Sequence, residues 1–303
     1  MSDAKPIRYA LIMPVRDEEK FIGPMIESIL AQTVPPTKWI IVDDGSSDGT
    51  LEILRTYARR APCLEIVELP RREHRAPGGE GAIAQALHHL NLAEFDFLAR
   101  FDADLLFEPD YVERILGEFN QDPRLGIAGG GLYVQRNGRL ELEIVPEFHV
   151  RGALKMYRRE CFEQIGGITT RIGWDTIDEV FAWTKNWNTR SFFEYRVIHR
   201  RPTGEGIRQT RVYWQRGKAE YYTWSHPLHV LAKTVKLTFE LKNPVSPLMY
   251  LFAFLVCYVK GEDRLQSPDF VRARRQQQMR RIFSSLTLSK PARTHAGLSP
   301  NKS

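Results

Sequence analysis

Four times in its first hundred or so residues, the chain runs an uninterrupted apolar stretch into a polar turn. Three of these turns lead into a segment of helical periodicity before the next stretch begins. The apolar stretches are "YALIMPV" (9–15), "WIIVDD" (39–44), "CLEIVELP" (63–70) and "FDFLARFDAD" (95–104). A strand that is apolar at nearly every position has both faces covered, as in a parallel sheet under two layers of helix. Between the stretches, "EEKFIGPMIESILAQT" places Phe21, Ile22, Met25, Ile26, Ile29 and Leu30 at helical spacing. "SSDGTLEILRTYARR" opens a helix with Ser47 or Asp48 as N-cap, and "GAIAQALHHLNLA" (81–93) is a helix of small residues. The alternation predicts an α/β fold with a doubly wound, mostly parallel sheet. Such sheets bind ligands beyond the carboxyl ends of their strands.

The charged residues gather at those ends. Asp17 and Glu18 follow the first strand, Asp43 and Asp44 end the second, and Arg71, Arg72 and Arg75 follow the third, before the turn "APGGEG". Asp102 and Asp104 end the fourth. Two carboxylates one residue apart repel unless a cation lies between them, and hard oxygen ligands suit Mg²⁺ or Mn²⁺ carrying phosphate oxygens. The alternative is an Asx turn capping the helix that begins near Pro109. The doubled Asp of "IVDDGSSDGT" could accept hydrogen bonds from a nucleobase or ribose, although Asp, Gly and Ser are also ordinary turn residues.

After Asp122 the βα alternation stops. "RLGIAGGGLYVQRNGRLELEIV" reads as strands and turns. A short helix (158–165) is closed by Gly166 and Gly167. Another helix starts near Asp175, and a strand returns to end at His199.

"YALIMPVRDEEKFIGPMIESILAQT", "WIIVDDGSSDGT" and "FLARFDADLLFEPDYVERIL" together resemble the family 2 glycosyltransferases of the GT-A fold over about residues 8–200. Asp17 stands where that family usually has Asn, and Glu18 at its Glu. The resemblance implies an inverting transfer of a sugar from a nucleotide-sugar donor, with a uridine diphosphate sugar the commonest choice, to an acceptor hydroxyl. It implies Pro14, Glu18, Asp43 and Asp44 around the base and ribose. Asp102 and Asp104 would hold a divalent cation, Mn²⁺ or Mg²⁺, and the diphosphate. The family's Gly-Lys pair before the third helix is replaced by Glu80 and Gly81, leaving Arg71, Arg72 or Arg75 to supply positive charge.

An inverting transfer needs a carboxylate to take the acceptor's proton. "GWDTIDEVFAWTKNW" offers Asp175, Asp178 and Glu179. Asp175 lies twelve residues before Trp187, the family's spacing from base to a downstream aromatic, although Trp174 occupies the usual Glu position. Asp175 is the expected base and Asp178 the alternate. Asp178 and Glu179 could instead complement the helix dipole. His199, after the last strand, could complete the metal shell or contact phosphate, or is simply a packed or surface histidine.

Charge divides the chain. Residues 1–200 hold 25 Lys and Arg against 31 Asp and Glu, and residues 201–303 hold 18 against 6. The expected organisation is a catalytic domain (1–205, with a donor half 1–120 and an acceptor half 121–205), a basic helical extension (206–288) and a disordered tail (289–303). The stretch "VSPLMYLFAFLVCYV" (245–259) is too short for an ordinary membrane-spanning helix. Two readings stand for it: an anchor on an anionic membrane surface, or a helix packed on the body of the protein. The opening lacks a signal-peptide layout, and the three scattered cysteines read as reduced thiols, so a cytoplasmic setting is expected, with peripheral contact at the inner face of the plasma membrane. The implied acceptor is a glycan or lipid-linked glycan in surface polysaccharide or glycolipid assembly. A nucleotidyltransferase would carry a Gly-rich, basic loop where this chain has "VRDEEKF". Nucleic-acid binding is disfavoured by the acidic strand ends.

Overall fold

The computed structural model describes residues 6–71, 80–136, 138–169, 171–201, 209–241 and 244–287. Arg72, Arg75 and the tail from Ser289 lie outside them. The four apolar stretches form β1 (Tyr9–Val15), β2 (Lys38–Asp43), β3 (Leu64–Glu68) and β4 (Phe97–Phe101). Helices α1 (Ile22–Leu30), α2 (Thr50–Ala58) and α3 (Glu80–His88) connect them. The third helix is shorter than its apolar pattern suggests, and a 3-10 turn at Leu92–Glu94 completes the connection.

These four strands pair in parallel in the order β3-β2-β1-β4. Side chains alternate across a strand, and β1 shows why its sequence is apolar throughout. Tyr9, Leu11, Met13 and Val15 face one core with Met25 and Ile26 of α1, and Ala10 and Ile12 face the other with Ala82 and Ile83 of α3.

The second half extends the same sheet. After β5 (Leu105–Phe107) and α4 (Tyr111–Gln121) come β6 (Leu125–Arg136), β7 (Arg139–Leu142), β8 (Leu154–Arg158), α5 (Arg159–Gln164), α6 (Trp174–Thr184) and β9 (Asn188–His199). The order continues β4-β8-β6-β9-β5, with β8 antiparallel to β4 and β5 antiparallel to β9. The run "IAGGGLYV" is a mid-strand segment of β6. The β9 register shifts beside Gly130 and Gly131, bringing the Tyr195 carbonyl to 2.2 Å from where a Cβ on Gly130 would lie. Only glycine allows that approach.

Among the described residues four helices follow the sheet: α7 (Gln209–Tyr222), α8 (Pro227–Leu241), α9 (Val245–Lys260) and α10 (Pro268–Thr287). α9 buries Tyr250, Ala253, Phe254 and Cys257, and packs closely on α7 because Gly217 meets the Tyr250 carbonyl. Phe270 of α10 packs against Phe181 of α6, with ring centres 5.2 Å apart, so the helical extension is tied to the sheet layer. Among the described residues no helix is long and apolar enough to cross a membrane.

Candidate active site

The strand ends carry the expected residues to one edge, and the loops there are stitched together. The amide of Glu18 donates to Thr50 Oγ1 (2.8 Å), that of Asp17 to Ser46 Oγ (2.9 Å), and that of Ser47 to Asp17 Oδ1 (2.7 Å). Asp17 holds φ 55°, a left-handed conformation that Asp adopts more readily than most residues. Much of "VDDGSSDGT" therefore holds the loop after β1. Asp43 accepts from the hydroxyl and amide of Ser46, and burial pushes its carboxyl above the usual range. Asp44 lies 3.7 Å from the Arg16 guanidinium.

Pro14, Glu18, Arg100, Asp102, Ala103, Asp104 and Arg201 line one cavity of about 130 Å³. That is well below the roughly 300 Å³ where sites for whole small-molecule ligands begin, and it suits a cation with phosphate oxygens. Asp43 and Asp44 lie outside its lining.

Asp102 and Asp104 follow the end of β4 in a turn and find different partners. Asp102 pairs with Arg100 at 2.7 Å. Asp104 is buried, with His199 Nε2 at 3.4 Å and the Arg201 guanidinium at 3.1 Å. The strand register makes this meeting. β5 begins one residue after Asp104, and its Leu105 sits opposite His199 on antiparallel β9. Arg200 then donates its amide to the Asp104 carbonyl (2.9 Å). Burial pushes the Asp104 carboxyl up, but the bond to His199 and the charges of His199 and Arg201 outweigh it and hold it below the usual range. Arg201 also reaches Glu18 Oε1 at 2.5 Å, so one guanidinium ties the loop after β1 to Asp104.

No group of three or more His, Cys, Asp or Glu side chains gathers as a complete metal shell among the described residues. The donor set still fits a hard divalent cation. Asp104 offers carboxylate oxygen beside an imidazole, Asp102 lines the same cavity, and His199 Nδ1 is buried with no hydrogen-bond partner among the described residues.

Asp175 and Asp178 sit in the first turns of α6 in different surroundings. Asp178 is 2% exposed. It receives Lys155 Nζ at 2.8 and 2.9 Å, the Tyr157 hydroxyl at 2.6 Å and the Glu179 amide at 2.7 Å, so both its oxygens are committed inside the protein. Glu179 holds His149 Nδ1 at 2.8 Å and the Val150 amide at 2.7 Å. Asp175 is half-buried at the helix start. Burial raises its carboxyl, but the charges of His149, Lys155 and Arg151 outweigh that and keep it below its usual range, ionised at neutral pH.

Two cations absent from the expected site connect these parts. Arg100 of β4 and Lys155 of β8 are direct cross-strand partners, an arrangement that like charges disfavour. Each has its own anions: Asp102 for Arg100, and Asp178 with Glu179 for Lys155. Trp174 serves both, with its ring centre 5.0 Å from the Arg100 guanidinium and 5.6 Å from Lys155 Nζ. Burial pushes the Lys155 pKa down, but the charges of Asp178, Glu179 and Asp175 outweigh it and raise the ammonium above its ordinary value. Lys155 Nζ also donates to the Asp175 carbonyl (2.6 Å). The acidic turn after β4 thus connects through Arg100 and Trp174 to the start of α6. The sequence signal was a lone cation inside each apolar run, "FLARF" and "ALKMY".

The sheet order, the mixed second half and the carboxylates at the strand ends define a GT-A fold. The chain belongs to glycosyl transferase family 2, whose profile matches residues 10–171. It is 34% identical over 119 residues to the dodecaprenyl-phosphate galacturonate synthase of Rhizobium johnstonii, a match covering 38% of this chain and 33% of that protein. It is 29% identical over 113 residues to the chondroitin synthase of Escherichia coli, covering 37% of this chain and 15% of that one. The matches span a third or less of these two relatives. In fold it is similar to the mannosyltransferase PcManGT of Pyrobaculum calidifontis, solved in complex with GDP-Man and Mn²⁺ (TM-score 0.53, 19% identity, 95% of this chain and 84% of that one).

Proposed function

We propose that this chain is an inverting glycosyltransferase. It moves a hexosyl or N-acetylhexosaminyl group from a nucleoside-diphosphate sugar, with a uridine diphosphate sugar as the donor class, to an acceptor hydroxyl. The observation that carries the reading is that Asp104, which meets His199 on its buried side, lines a small cavity together with Glu18, Asp102 and Arg201. Asp104, His199 and Asp102 would hold Mn²⁺ or Mg²⁺, which when bound offsets charge on the leaving diphosphate.

This chain's own residues do the rest. Pro14 and Glu18 border the cavity on the donor side, and Asp43 and Asp44 lie at the end of the neighbouring strand for the base and ribose. Arg201, held at the cavity by Glu18 and Asp104, offers a planar guanidinium suited to phosphate oxygens. Asp175 accepts the acceptor's proton as the new bond to the sugar's anomeric carbon forms and the bond to the diphosphate breaks. Asp178, with both oxygens engaged, fixes the helix that presents Asp175.

The catalytic unit is residues 1–205 and the basic extension 206–288. The acceptor is a glycan or lipid-linked glycan, and the setting is surface polysaccharide or glycolipid assembly at the inner face of the plasma membrane. The polyprenyl-phosphate and chondroitin chemistry in the relatives' names supports this. The test is proton NMR of the reaction with an α-linked donor, Mn²⁺ and a panel of acceptors. A β-linked product supports the mechanism, and an α-linked product would refute inversion.

A further inference from the structure

The helices beyond the sheet leave a large apolar surface uncovered. On α8, Leu228, Leu231, Val235 and Phe239 recur at three- and four-residue steps, and all are half exposed or more, with Phe239 at 78%. α9 repeats the pattern with Leu248, Phe252, Leu255 and Val259, the last at 90%. This spacing makes one continuous stripe along each helix. The opposite sides of both helices are already used. Val230 of α8 shares a buried cluster with Tyr250 and Phe254 of α9 and Tyr213 of α7. The outward stripes are therefore surplus to the protein's own core. Soluble proteins seldom expose contiguous apolar area on this scale without a partner.

The border of this surface is cationic. The Trp214 ring of α7 lies 5.9 Å from that of Phe252, at the edge of the α9 stripe. Arg211 and Lys218 flank Trp214 at i−3 and i+4, on the same side of α7. Across α7, α8 and α9 there are six Lys and Arg against two Glu, one of which, Glu220, is buried. Leucine and phenylalanine stripes beside tryptophan and cations have the composition of a helix face lying in the plane of a membrane interface. At 16 residues, α9 lies along such a surface rather than through it.

We infer that the outward face of α8 and α9, with the α7 edge at Trp214, docks on an anionic phospholipid bilayer. A second copy of the chain would also cover the apolar stripes, but a two-fold contact would set the same cationic border against itself. An anionic bilayer offers the opposite sign. The inference deepens the peripheral membrane setting proposed above and rests on that reading for its purpose, which is to bring the site to a lipid-linked acceptor.

The test is co-sedimentation of the full chain with vesicles of phosphatidylcholine alone and of phosphatidylcholine mixed with phosphatidylglycerol. In parallel, metal-dependent nucleotide binding is measured by calorimetry. The expected result is at least about tenfold stronger binding to the anionic vesicles, weakened by salt. Phe239→Ser with Phe252→Ser should lower it by about tenfold or more, with nucleotide binding retained. Arg211→Glu with Lys236→Glu changes only exposed side chains and should abolish the preference for anionic vesicles. Absent vesicle binding alongside intact nucleotide binding overturns the docking surface and leaves the transferase reading standing. Equal binding to both vesicles overturns the charge argument. A concentration-dependent dimer that the double serine variant dissolves, without vesicle binding, assigns the face to a second copy instead.

Discussion

Replacing Lys155 by Met separates folding from positioning at the centre of the site. The ammonium is fully buried and touches both oxygens of Asp178, Glu179 Oε1 and the Asp175 carbonyl. Methionine fits the space but leaves two carboxylates without their cation. Removing one partner of a buried ion pair costs about 3–5 kcal/mol. Glu179 keeps His149 and the Val150 amide, so most of the cost falls on Asp178. For a chain of this size the loss corresponds to a fall in Tm on the order of 10 °C. Lys155→Met with Asp178→Leu removes the stranded charge and should recover at least half of that. Thermal unfolding followed by near-UV circular dichroism measures both. The double variant should still show a reduced kcat with an unchanged KM for donor, because the Asp175 carbonyl has lost its clamp. In the wild type, Lys155 has its pKa raised on folding. Its contribution is therefore complete below about pH 10.5 and is lost only as pH climbs above that value. A single variant that melts within about 2 °C of wild type would refute the buried network as the anchor of α6.

Asp175→Asn should lower kcat by about 10²–10⁴-fold while leaving nucleotide affinity unchanged, read from initial rates and calorimetry. Asp178→Asn should instead act mainly on stability, seen as a lower Tm. His229 has its pKa lowered by burial to about 4, so the unfolded chain binds a proton that the folded one refuses. Stability is then complete above about pH 6.5 and declines as pH falls towards 4, by roughly 3 kcal/mol, in urea titrations across that range. His229→Gln should flatten the decline. Gly217→Val should separate α7 from α9, since its Cβ would lie 2.1 Å from the Tyr250 carbonyl, and should lower Tm with the sheet's near-UV signal retained.

The first half of the fold was legible because a strand covered on both faces must be apolar at nearly every position. That pattern placed β1 to β4 within a few residues of where they lie. The second half was less legible because its pairing is non-local. "RLGIAGGGLYVQRNGRLELEIV" reads as strands and turns, but that one strand runs straight through its three glycines follows only from the register shift of β9 beside them. The meeting of Asp104 with His199 depends on β5 lying against β9, a contact across 95 residues that no local pattern encodes; the place of His199 after the last strand made it a candidate, but gave no reason for Asp104 to be its partner. The divergence of Asp102 from Asp104 follows from Arg100, and a lone cation in an apolar strand should prompt a search for its anion. Spacing ranked Asp175 above Asp178 but could not anticipate that Lys155 and Tyr157 would occupy both oxygens of Asp178. For 245–259 the two open readings describe opposite faces of one helix: one packs on α7, and the other is the surface assigned above to the bilayer.

The central claim is that Asp104 and His199 form a site for a cation and a diphosphate. Calorimetric titration of a panel of nucleoside diphosphates into the wild type, Asp104→Asn and His199→Ala, each with Mn²⁺ and with chelator, tests it most directly. The account predicts metal-dependent binding of one nucleotide by the wild type, weakened about tenfold or more in each variant, with each variant shown to be folded by near-UV circular dichroism. Binding that is indifferent to metal, or equally strong in both variants, would contradict it.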